Sequence, residues 1–251
     1  MGIASIYTSS NLLRDGLECN PYCVRLARAT VPPVPGSPVP GRGPRPENGA
    51  HRSLAGIFLA PGAGGSAESP AFVELASSLE ASGVPVQRMD FPYRLAGRQR
   101  PDPPAVLEAS VRERACSFAR HLGTETSTLV LGGRSMGGRI CSQVVAEGLP
   151  AAGLALVSYP LHPPGRPERL RVAHFPQLRV PCLFVSGTKD AFATRDELET
   201  ATAAIPGPVS HVWLEGADHG LRKHGAAAAA AILQWLASTF RLPTGGGTSE
   251  P

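Results

Sequence analysis

The sequence predicts a mostly parallel, doubly wound α/β sheet with helices on both faces. Two observations lead there: apolar runs alternate with helical patterns, and several runs are apolar without a break. A third locates the chemistry, because a serine between glycines sits at one strand-to-helix junction. Unbroken apolarity marks strands buried on both faces of a parallel sheet, and the alternating helices supply its crossovers. Such a sheet keeps its sites at the carboxyl ends of its strands.

Strands are expected at 54–60 (LAGIFLA), 84–91 (VPVQRMDF), 127–133 (STLVLGG), 153–159 (GLALVSY), 181–187 (PCLFVSG) and 210–216 (SHVWLEG). Helices are expected at 69–82, 102–122, 136–149, 193–205 and 225–240. Ser69 is placed to cap the first, ahead of Pro70 at the first helical position. In the second, Val106, Ser110, Ala115 and Phe118 fall near one face.

Residues 32–49, PPVPGSPVPGRGPRPENG, have no route into a packed core, since proline lacks a donor and glycine costs entropy to order. Residues 1–50 therefore read as an N-terminal segment plus linker, in which YCVRLARATV is a candidate strand. Residues 51–242 form the expected domain and 243–251 a flexible tail.

With 251 residues, 42% of them hydrophobic, the chain can bury a core without disulfide or metal staples. The net charge of +4 is largely scattered arginine, not a basic block, so no nucleic-acid partner is expected. No run reaches the ~20 apolar residues of a membrane span, and no membrane partner is expected. Ile6 stands where a myristoylation signal wants Ser or Thr; a transit peptide stays open as an alternative that Asp15 and Glu18 weaken. Five cysteines (Cys19, Cys23, Cys116, Cys141, Cys182) form no close-paired even set, which suits reduced thiols in the cytoplasm or the nucleus. Cys19 and Cys23 lack the second ligand pair that zinc needs.

The chemistry centres on Gly133-Arg134-Ser135-Met136-Gly137, in the order strand, G-x-S-x-G, helix. A backbone turning that sharply brings flanking side chains into collision, and glycine removes them. The serine hydroxyl is exposed by such a turn, and the Met136 amide is left at a helix N-terminus, where an oxyanion is welcome. A glycine-rich turn with an idle serine is the competing reading; the strand–helix context favours a nucleophile.

A hydroxyl needs a base, and the base an orienting group. Asp190 follows the strand in LFVSGTKD, and His219 follows another in EGADHGL, so both share the sheet edge of Ser135. Asp190 is also a good cap for the helix near ATRDEL. His224 competes with His219 but lies nearer the last helix, and Asp218 should diverge from its neighbour His219. His51, His121, His174 and His211 fall in linker, helix end, loop and strand. The second oxyanion donor is expected in APGAGGSAESP, from the amide of Ala63 or Gly64. Gly64, Arg134 and His162 are candidate substrate contacts. Arg94, Arg98 and Arg100 either bind an anionic group or form a solvated loop. No G-K-[ST] follows the GAGG run, which excludes a P-loop.

With these residues in place, the chain resembles the α/β-hydrolase superfamily. More narrowly it resembles the group of testis-expressed protein thirty, the third subunit of the NSL chromatin complex, and small dienelactone-hydrolase-like proteins. The matching stretches are APGAGG, FPYRLAGRQRPDPP, GGRSMGGRI, SYPLHPPGRPERLR, PCLFVSGTKDAF and EGADHGL. The resemblance implies an α/β-hydrolase fold with a catalytic triad at Ser135, Asp190 and His219. It implies a serine hydrolase acting on a small ester or thioester, with no cofactor and no metal. Related loops begin His-Gly where this chain has Pro61-Gly62. Only residues 161–180 separate LVSYP from PCLFV, so no large lid domain fits and the site should be shallow and open. Two other functions remain compatible: a non-catalytic interaction subunit with a protein partner, or acyl transfer to an acceptor other than water.

Overall fold

The structure is a computed structural model and describes residues 52–243. The candidate strand YCVRLARATV, the proline-rich linker, Cys19, Cys23 and all but the first residue of the tail lie outside the described residues. The chain runs β1 (Arg52–Ser53), β2 (Gly56–Ala60), α1 (Pro70–Glu80), β3 (Val86–Arg88), α2 (Pro92–Leu95), α3 (Pro104–His121) and β4 (Leu129–Arg134). It continues through α4 (Met136–Ala146), β5 (Gly153–Val157), β6 (Cys182–Gly187), α5 (Arg195–Thr202), β7 (Val209–Leu214), α6 (Gly225–Thr239) and β8 (Phe240–Arg241).

All six expected strands join one parallel sheet, in the order β3-β2-β4-β5-β6-β7. A separate two-residue pairing, Arg52 with Phe240 and Ser53 with Arg241, ties β1 to β8. The chain first moves outward from β2 to β3, then returns to place β4 on the other side of β2 and continues from there. That reversal opens a crevice at the carboxyl ends of β2 and β4.

The unbroken apolar strands serve two cores at once. Along β2, Phe58 and Ala60 enter one cluster and Ile57 and Leu59 the other. The same alternation sends Leu154 and Leu156 of β5 one way and Ala155 and Val157 the other. Helices α3 and α4 cover the first cluster through Leu107, Val111, Ile140 and Val144. Helices α1 and α6 cover the second through Phe72, Leu75, Ile232 and Leu236. Each such side chain contributes about 1.5–3 kcal/mol by leaving water.

Two local expectations are corrected. The buried stripe of α3 is Leu107, Val111, Ala115 and Phe118, whereas Val106 is 43% exposed. One residue is a 100° step around a helix, so Val106 and Ser110 lie beside the sheet-facing stripe instead of on it. Ser69 does take the cap position of α1, but its hydroxyl caps nothing; it accepts the Ser66 N–H at 2.8 Å and braces the preceding loop.

Between β5 and β6, residues 158–181 contain one 3-10 turn, Phe175–Gln177, and no other helix or strand. Tyr159, Leu161, Phe175 and Leu178 pack into the α3–α4 core, so this segment is a cover for the sheet, not a lid. Its His174 sits with Nε2 2.8 Å from Ser142 Oγ. Burial, reinforced by Arg139, brings the His174 pKa down from 6.5 to about 4. No described helix is long and apolar enough to cross a membrane.

A histidine held below its unfolded pKa lets the unfolded chain bind the extra proton first. Its stabilising effect is complete above pH 6.5 and is lost as the pH falls towards about 4. His211, lowered chiefly by burial, acts in the same direction. In His174→Gln, urea midpoints measured between pH 7 and pH 5 should therefore fall less steeply than in the parent chain; equal slopes would contradict this account.

Candidate active site

Ser135 leaves β4 with φ 52° and ψ −118°, a left-handed conformation that a side-chain-bearing residue adopts only under constraint. The constraint is the end of β2. A Cβ on Gly133 (φ 146°) would stand 2.0 Å from the Ala60 carbonyl oxygen, and one on Gly137 would stand 2.1 Å from it. Only bare glycines allow the turn to close against that carbonyl.

The loop after β2 crosses directly over this turn, since a Cβ on Gly62 would lie 3.5 Å from Ser135 Cβ. Its anchors come from the end of β3 and from α2. The Tyr93 hydroxyl donates to the Ala63 carbonyl at 2.6 Å, and the Ala67 N–H donates to Asp90 Oδ1 at 2.8 Å. Arg88 donates to the Ala67 carbonyl. These bonds hold the loop that Pro61-Gly62 begins. The amides of Ala63, Gly64 and Met136 donate to no acceptor among the described residues. All three thus remain able to bind an anion.

Two further loops bring in Asp190 and His219. They are stitched together: Lys189 N–H donates to Ala217 O at 2.9 Å and Gly216 N–H to Thr188 Oγ1 at 2.9 Å. His219 Nδ1 lies 2.8 Å from Asp190 Oδ2 and 3.0 Å from Oδ1. His219 Nε2 lies 2.8 Å from Ser135 Oγ. The carboxylate can only accept, so Nδ1 carries the proton and Nε2 is left as acceptor for the hydroxyl. The Asp190 side chain is 1% exposed and the His219 side chain 20%, which puts water access at the imidazole end.

The structure thus brings Ser135, His219 and Asp190 into one hydrogen-bonded chain. The helix-capping alternative for Asp190 does not hold: α5 is capped by Thr194, with Glu197 completing a capping box. That box is written in the sequence as T-x-x-E and is the local signal that sequence reasoning missed. Asp218 folds over Gly220, within 2.9 Å of where a Cβ there would project, while His224 Nδ1 faces the Arg222 carbonyl at the head of α6. His162 is buried behind the Asp190 loop, its ring nitrogens facing Pro163 O at 2.9 Å and Glu197 Oε2 at 3.4 Å. Arg98 pairs with Asp102 at 2.7 Å, and Arg94 donates to Gln99 at 3.2 Å, so both are engaged within their own loop.

Two residues make functional contacts that had no signal in the sequence pattern. The Phe192 ring stacks on the His219 imidazole with centroids 3.9 Å apart and planes 25° off parallel. Its N–H donates to Asp190 Oδ1 at 2.8 Å. Arg134 donates through Nη2 to the His219 carbonyl at 3.2 Å. One residue therefore grips both imidazole and carboxylate, and another holds the histidine backbone.

The alpha/beta hydrolase domain family matches residues 53–239, most of the chain. The chain belongs to the alpha/beta hydrolase family. Solved structures agree on the fold of this hydrolase domain. A serine hydrolase homologue from Coxiella burnetii aligns with TM-score 0.61 and 19% identity, over 76% of this chain and 88% of that one. Est1E from Butyrivibrio proteoclasticus aligns with TM-score 0.59 and 14% identity, over 77% of this chain and 91% of that one. The esterase domain of a Rhodothermus marinus protein aligns with TM-score 0.56 and 18% identity, over 74% of this chain and 87% of that one.

The packing of the turn against β2 carries a direct consequence for stability. Gly137→Ala forces a methyl group into the Ala60 carbonyl and should cost about 3 kcal/mol, read as a lower urea midpoint. An unchanged midpoint would show that the close approach is not obligatory.

Proposed function

We propose that this protein is a serine hydrolase that cleaves a carboxylic ester or thioester of a small substrate through an acyl-enzyme. The observation that carries the proposal is the unbroken chain from Ser135 Oγ through His219 to the buried Asp190 carboxylate. Ser135 attacks the acyl carbon as His219 Nε2 takes its proton, and the protonated imidazole then gives that proton to the leaving group. Asp190 holds the tautomer and stabilises the imidazolium. Amides of Ala63 and Met136 receive the oxyanion, with Gly64 beside the first of them. Water, activated by the same histidine, then releases the acid. No metal or cofactor is needed for this sequence of steps.

Tyr159, Leu161, Phe175 and Leu178 anchor residues 158–181 to the core, and the segment holds no lid domain, which supports an open site. Without a lid, water is poorly excluded and electrostatic stabilisation is weaker, which suits a broad esterase better than a lipase. The motifs support placing the chain near testis-expressed protein thirty, the third NSL subunit and dienelactone-hydrolase-like proteins. A fold retained only for binding partners would not require three side chains on three separate loops to meet at hydrogen-bonding distance, and this favours chemistry over a scaffold role.

The test is a panel of short-chain nitrophenyl esters and thioesters. The parent chain should turn over at least one of them, and Ser135→Ala should lose about 10³-fold or more in kcat/KM with an unchanged circular dichroism spectrum. Retained turnover in that variant would overturn the proposal.

A further inference from the structure

A cleft of about 420 Å³ opens between α1, the end of β4 and the turn leading into α6. Two of its walls, Arg134 and Gly220, are the chain neighbours of Ser135 and His219. The lining carries three cations, Arg134, Arg222 and Lys223, against one carboxylate, Glu74. Glu74 rests beside Gly225, 3.0 Å from where a Cβ would project. Asp218 and Asp190, both outside the lining, are the acids that act on Arg134. Within the lining itself, positive charge is in excess. A small apolar recess of about 30 Å³, walled by Phe72, Leu75 and Val157, shares Arg134 and Leu221 with the cleft.

Arg134 is the pivotal group. One of its terminal nitrogens holds the His219 carbonyl, and its side chain lines the cleft. A guanidinium presents five donors in a planar fork, and the His219 carbonyl takes one of them. An oxyanion is the ligand that matches such a fork, and two exposed cations at the rim add to its attraction.

We propose that this cleft binds a carboxylate or phosphate group, gripped by Arg134 and drawn in by Arg222 and Lys223. The site stands on its own geometry; its effect on catalysis rests on the hydrolase reading above. The oxyanion is either the free acid end of the ester substrate or a separate small anion. In either case, because Arg134 bonds to the His219 backbone, occupancy tightens the loop that carries the base.

Binding is measured first without turnover. Ser135→Ala protein is titrated by calorimetry with succinate and with inorganic phosphate at low ionic strength, where surface charge is least screened. At least one anion should bind, and adding Arg222→Gln and Lys223→Gln should weaken it by about tenfold or more. Both side chains are exposed, and a thermal melt confirms the fold. Arg120→Gln, on the distant and exposed end of α3, serves as the charge control and should leave binding unchanged. In active protein, the ratio of kcat/KM for nitrophenyl hemisuccinate over nitrophenyl acetate is then compared. A ratio that falls about tenfold in the double variant places the anion on the substrate. A constant ratio, with phosphate altering the rate on the neutral ester, makes it a separate ligand. Absence of anion binding, or binding equal in the double variant, overturns the proposal. Anion binding in a chain that cleaves no ester would instead remove the hydrolase reading and leave the cleft.

Discussion

The site depends on a steric constraint before any hydrogen bond: the end of β2 lies so close to the turn after β4 that only glycine fits two residues before and two residues after Ser135. The Ala60 carbonyl occupies the space where side chains at 133 and 137 would project. That contact fixes where β4 stops and where α4 begins. It also keeps Ser135 in a positive-φ conformation that costs about 1–3 kcal/mol on its own. The sheet meets this cost, because β2 and β4 are central strands, buried on both faces and paired along five residues. A strained hydroxyl is thereby presented at the crevice where strand order reverses.

Around that fixed point the remaining groups arrive from loops that brace one another. The loop after β2 is tied by Arg88 and Asp90 at the end of the neighbouring edge strand and by Tyr93 of α2. The loops after β6 and β7 are tied to each other through Thr188, Lys189, Gly216 and Ala217. Phe192 then locks the imidazole against the carboxylate, and Arg134 reaches back from the serine turn to the His219 carbonyl. Loops alone are poor carriers of precise geometry, and cross-bracing ties these three to fixed neighbours.

This pattern of bracing explains which features the sequence discloses. Strands buried on both faces must be apolar throughout, so β2, β4, β5 and β6 are legible as unbroken runs. The glycines around Ser135 are legible because the turn excludes every other residue. The register of α3 was misjudged because Val106 is as apolar as Leu107, and only contact with the sheet separates them. The stacking of Phe192 on His219 and the bonds of Tyr93 and Arg134 span long separations in the chain, and no periodicity or local motif encodes a partner that distant. Thr194 and Glu197 are different, since their capping box is local and could have been read. The pairing of β1 with β8 joins the two ends of the domain and is likewise invisible to local patterns.

The claim that the Ser135–His219–Asp190 chain is a working device is tested most directly by active-site labelling. The protein is treated with a fluorophosphonate probe and the adduct is mapped by peptide mass spectrometry. A single heat-sensitive adduct on Ser135, abolished in His219→Ala, is the expected result. No adduct on Ser135, or labelling that persists without the imidazole, would contradict the account.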